Sequence, residues 1–170
     1  MNKKIPTVIN LENTKDNQDQ LKLLDLLAPL VETMTSRSLI NHLNSRDKLD
    51  LRLNSFVWGY LNSLAFGHAE RCSISIRNQK VLGAVSASLH SILFNNSVAI
   101  SELEYRAVHQ SIKNIKTLKD EFVEGTKACD ADIPKIGIDV PIRNSLLPSL
   151  NIFLLNKVEE LEPYKQTKDK

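Results

Sequence analysis

The stretch from Ser101 to Gly125, SELEYRAVHQSIKNIKTLKDEFVEG, limits the fold more than any other segment. At 100° per residue, Tyr105, Val108, Ile112, Ile115, Leu118 and Phe122 fall in one stripe roughly 140° wide. Arg106, Lys113, Thr117, Asp120 and Glu124 lie opposite. A helix with such a stripe must bury it against other elements. The end signals fit as well: Ser101 can cap the first turn while Glu104 reaches back to its amide, and Ile100 can clasp Tyr105. Gly125 supplies a left-handed stop. The reading is one central helix over 101–125.

The remaining segments mostly repeat the helical period. Residues 1–16 are polar and aperiodic, an N-terminal arm. From about Asn17, Leu21, Leu24, Leu27, Ala28, Val31 and Met34 share a side, flanked by Leu23 and Leu30. Pro29 inside this pattern removes an amide, which predicts a kink or an early end. Thr35 and Ser36 offer a new cap for a short helix carrying Leu39, Ile40 and Leu43. Asp47 opens a further helix, 47–66, with Leu49, Leu53, Phe56, Val57, Tyr60, Leu61 and Leu64 in a stripe; Leu51 and Trp58 fall on its other side, where either neighbouring helices cover them or they anchor a partner. Cys72, Ile74 and Ile76 alternate in a short strand-like way. Val81, Val85, Leu89 and Ile92 resume a helix at 81–94, whose small residues 83–88 would let another helix approach closely. Asn95 and Asn96 end it, and the short turn that follows predicts an antiparallel pair with 101–125.

After Gly125 the period fades. Ile136, Ile138, Val140 and Ile142 alternate, but Pro134 and Pro141 argue for an extended connector, about 126–143, over a central strand. Asn144 or Ser145 then caps a last helix to about 162, with Pro148 tolerable in its first turn and Pro163 closing it. The expected architecture is all-α: a compact bundle of five to six helices with a kinked first helix. Residues 17–162 form the single domain and 163–170 a polar C-terminal tail.

Composition narrows the function classes. The net charge is +2, with a surplus of +3 in the two tails and a body near −1, so the body does not advertise a polyanion partner. Two cysteines, Cys72 and Cys129, cannot form a disulfide framework and fit a reducing, cytoplasmic setting. No apolar run of signal-peptide or membrane-spanning length occurs, so no membrane partner is expected.

Chemical motifs are sparse. His68-Ala69-Glu70 has the form of the His-x-Glu half of a zinc deaminase site, yet that chemistry also needs Pro-Cys-x-x-Cys, and Cys129 is followed by Asp130 and Ala131. His68 and Cys72 are one turn apart but find no third and fourth ligand, so no metal site is assigned. His42, His90 and His109 stand singly. There is no nucleophile elbow, phosphate-binding glycine loop or paired-cysteine motif, and neither a catalytic residue nor a cofactor is assigned.

Two non-enzymatic readings remain. The first is an interaction or regulatory protein that binds a protein partner or forms a homo-oligomer, through Leu51 and Trp58 or through Ile136 and Ile138 of the connector; tryptophan is enriched at interface hot spots. The second is a nucleic-acid-associated subunit that contacts phosphates through Arg106, Lys113 and Lys116 on one helix face. Arg71, Arg77 and Lys80 form another basic group. Acidic residues at 120, 121 and 124 and the shortage of aromatic residues weigh against the second reading.

Overall fold

A computed structural model describes residues 11–135 and 147–168, with side chains from 15 to 134 and from 147 to 161. Among the described residues there are eight α-helices and no strand: α1 (Leu11–Glu32), α2 (Ser36–Asn41), α3 (Ser45–Arg52), α4 (Ser55–Ala69), α5 (Gln79–Phe94), α6 (Val98–Asn114), α7 (Lys116–Asp132) and α8 (Pro148–Lys168). The all-α expectation holds, with eight helices where five or six were expected. None of these helices is long and apolar enough to cross a membrane.

The excess over the expected number comes largely from two long stripes that each break once. The stretch 47–66 divides at Leu53–Asn54, where Asn54 leaves the helical conformation and its side chain accepts the Val57 amide. The helix before it starts on Asn44, whose carbonyl oxygen accepts from the Asp47 amide while its amide donates to the Asp47 carboxylate, a reciprocal cap. The central stretch divides at Ile115, which is extended at φ −120° and ψ 108°. Ser97, not Ser101, caps α6 by accepting the Ile100 amide. Ser101 is inside the helix and buried.

Gly125 does not stop a helix; it lies within α7 where that helix crosses α4. A Cβ on Gly59 would strike the Phe122 backbone, and one on Gly125 would strike the backbone of Phe56. Both glycines are therefore required for the close crossing that builds the centre of the bundle. Within the small residues 83–88, a Cβ on Gly83 would stand 3.3 Å from the Tyr105 side chain of α6, a contact with a side chain rather than with backbone.

The other differences are local. α1 begins at Leu11, ahead of the expected Asn17, and ends at Glu32, one turn after Pro29, whose carbonyl accepts from the Thr33 amide. Its buried side is Leu23, Leu27, Leu30 and Val31, with Met34 buried just past its end, leaving Leu21 exposed. Thr35 makes no side-chain cap for α2; Asn151 on α8 does so across the bundle, accepting the Ser36 amide. The strand-like 72–76 is a 3₁₀ turn, Glu70–Cys72, followed by Ser73 in the left-handed region. The first seven residues of the expected connector are the end of α7, and Ile133–Lys135 form a second 3₁₀ turn. α8 starts at Pro148 and its backbone stays helical through Pro163 to Lys168.

The core gathers around α4, with Tyr60, Leu61, Leu64, Leu82, Leu89, Leu93, Leu147, Leu150 and Leu154 fully or almost fully buried. Asp132, itself buried, fastens α7 to its neighbours. It accepts from the Tyr60 hydroxyl at 2.8 Å, from the Ser149 amide at 2.9 Å and from the Ser149 hydroxyl at 2.8 Å. The last two bonds hold the first turn of α8, so one carboxylate joins three helices.

Candidate functional site

The expected site residues separate. Leu51 is 4% exposed and Trp58 is fully buried, so neither offers the docking surface expected of them. Trp58 faces inward because α5 and α6 cover it. Its ring stacks on His90 at 4.0 Å and meets Tyr105 edge-on at 5.5 Å. Its Nε1–H donates to the Arg52 carbonyl at 2.8 Å. The row of rings continues through His90 to Phe94 on one side, and through Tyr105 and His109 to Phe122 on the other. Ile136 and Ile138 lie outside the described residues.

A polar group is built into this row. The Arg52 carbonyl also meets His90 Nε2 at 2.9 Å; a carbonyl can only accept, so Nε2 carries the proton and Nδ1 accepts from the Ser101 hydroxyl at 2.9 Å. Burial then holds His90 neutral, with its pKa lowered to about 3. The Arg52 guanidinium reaches both oxygens of Glu104, at 3.0 and 3.2 Å. Burial raises the Glu104 carboxyl above its ordinary value in spite of Arg52. Ser101 and Glu104, read from the sequence as a capping pair, instead anchor α6 to α3 and α5.

His68, Glu70 and Cys72 form no such group. His68 is buried with Nδ1 donating to the Leu64 carbonyl at 2.9 Å, while Glu70 is exposed in the 3₁₀ turn. Among the described residues no three His, Cys, Asp or Glu side chains gather to hold a metal ion. Cys129 is fully buried, and burial pushes its thiol up to about 12, so it is not a nucleophile at neutral pH.

What α6 turns outward is more informative. Ala99, Ile100, Leu103, Ala107, Gln110 and Asn114 are all exposed and, at 100° per residue, fall within an arc of roughly 100°. None is charged. Leu103 is 63% exposed. Beside this arc lies a groove of about 200 Å³ between the α3–α4 junction, α6 and the start of α7, lined by Leu53, Ser55, Ala107, Val108, Ser111 and Leu118. Leu53, expected in the core, is 40% exposed here because α3 is not collinear with α4. The signal for Leu103 was in the sequence: it is a leucine outside the stripe that buries α6.

The charges of α6 occupy a separate strip. Glu102, Arg106 and Lys113 are exposed within an arc of roughly 40°. Lys116 does not extend this strip along one helix, because the extended Ile115 puts it at the start of α7. The structure instead brings Arg106 together with Lys80 of α5, two cations from groups that are far apart in the sequence, on one cleft between α1, α5 and α6.

Comparison of the chain with protein-family models, with curated proteins and with solved structures finds no match.

Proposed function

We propose that this protein is a non-enzymatic interaction or regulatory module that binds another protein, or a second copy of itself, through the uncharged face of α6. One observation carries the reading: a leucine 63% exposed in the middle of an uncharged helical arc beside an apolar groove. Contiguous exposed apolar surface rimmed by polar residues is one mark of a protein–protein interaction site. The geometry suits a partner helix laid along α6 with one side chain in the groove beside Leu53 and Leu118. The anchoring of α6 by Glu104, Ser101 and Val108 keeps the surface in place before a partner arrives, which lowers the ordering cost of binding. Two free cysteines, one fully buried, suit a reducing, cytoplasmic setting.

The test is Leu103→Glu, a change at a side chain that supports no core. Sedimentation velocity and co-purification from the native host are compared with the unaltered chain. Loss of the assembled species or of a specific co-purifying protein, at an unchanged unfolding midpoint, supports the reading. An unchanged mass together with an unchanged set of partners overturns it.

The nucleic-acid reading keeps one supporting observation, the strip holding Arg106 and Lys113 with Lys80 nearby. Phosphate contacts are strongest at low salt, so absence of any gel shift at low ionic strength removes it.

A further inference from the structure

We infer a ligand site, separate from the docking face, in the cleft between α1, α5 and α6, and we propose that it binds the oxyanion group of a small molecule. The cleft has a volume of about 360 Å³, the size of a metabolite pocket. Its lining combines donors of several kinds, the Lys80 ammonium, the Arg106 guanidinium, the Tyr105 hydroxyl and the side-chain amides of Gln20 and Gln79, with one carboxylate, Glu102, among them.

Four further observations support it. Among the described residues, neither Lys80 nor Arg106 forms an ion pair, although Glu102 stands four residues before Arg106 on the same helix. The Tyr105 hydroxyl has no hydrogen-bond partner among them either, while its ring is fixed by Trp58 and His109. The floor is Gly83, Ala84 and Ala87, so nothing bulky fills the space; a Cβ on Gly83 would stand 3.3 Å from the Tyr105 hydroxyl. Gln79 and Lys80 open α5, so the positive end of that helix adds to the field of the two cations. A phosphate or carboxylate can take the flat donor pair of Arg106 and the point charge of Lys80 together. The rest of a small ligand then lies on the glycine and alanine floor.

The experiment is an amide NMR titration of the full chain at low ionic strength with inorganic pyrophosphate and, in parallel, with succinate. The expected result is saturable binding of one or both, with shifts centred on Gly83, Ala84, Ala87 and Tyr105; which probe binds tells phosphate from carboxylate chemistry. Lys80→Gln and Arg106→Gln, both on exposed side chains, each weaken binding about tenfold, as loss of a charged hydrogen bond does. Glu102→Gln tightens it by removing a repelling carboxylate, and Lys113→Gln, outside the cleft, leaves it unchanged. Failure of both probes to saturate overturns the proposal. So does a Lys113→Gln loss equal to that of Arg106→Gln, or a duplex oligonucleotide that displaces the probes with shifts running on to Lys113 and Lys116. The last result assigns the strip to a nucleic-acid backbone.

Discussion

His90 is the residue whose surroundings leave it least freedom. Both ring nitrogens are engaged, one face lies on Trp58, and protonation would set a second proton against the Ser101 hydroxyl without removing the burial. An unfolded histidine titrates near 6.5 and the folded one near 3, so between those values the unfolded chain binds the extra proton. The stabilisation is therefore complete above about pH 6.5 and is lost as pH falls, at about 1.4 kcal/mol per unit. From pH 7.5 to pH 5 the loss from this group amounts to about 2 kcal/mol, read from urea midpoints. Burial lowers His68 and His109 as well, which adds to the same slope. A His90→Phe variant should keep the ring stack and show a visibly flatter dependence; parallel slopes for the two proteins would contradict the account. The sequence shows only a lone histidine at 90, because its neighbours Arg52, Trp58 and Ser101 come from three other parts of the chain.

At the scale of the elements, the α4–α7 crossing sets the arrangement. Gly59→Ala puts a methyl group into the Phe122 backbone, which cannot swing aside as a side chain would, and is expected to cost about 2–3 kcal/mol as overpacking. Gly83→Ala meets only the tip of Tyr105 and gains helix propensity, so it should be neutral or stabilising by up to about 1 kcal/mol. The thermal midpoint should fall for Gly59→Ala and hold or rise for Gly83→Ala, and equal shifts would show that the crossing is looser than described. Asp132→Ala leaves the Tyr60 hydroxyl and two Ser149 donors without their acceptor and should cost about 3 kcal/mol or more, checked by denaturant titration.

This is also the scale at which the sequence is partly readable. The helical stripes, the stop at Asn95 and the antiparallel α5–α6 pair can be read from local pattern, because caps and apolar period are properties of neighbouring residues. The break at Asn54 had a cap residue, but the apolar period runs on across it from Leu49 to Leu64 and hides it. The break at Ile115 had no local sign, since Ile115 makes no side-chain cap. That break accompanies the separate packing of α7 on α4, a tertiary constraint. Gly125 is hidden for the same reason: it has the composition of a stop and the position of a contact.

As a whole, the bundle buries Trp58, His68, His90 and Cys129 in its packing and leaves an uncharged helical face toward solvent. Leu51 and Trp58 were the right kind of residue in the wrong place, since only the covering of α4 by α5 and α6 decides which apolar side chains remain outside. Leu103, at 63%, is the most exposed of the large apolar side chains left outside among the described residues. The most direct test of the central claim is photocrosslinking in a native-host extract, with benzoylphenylalanine in place of Leu103 and, as a control, in place of the exposed Glu124. The account predicts a discrete adduct from position 103, either twice the mass of the chain or the chain plus one partner, and none of that mass from position 124. No discrete adduct from position 103, or the same pattern from both positions, would contradict it.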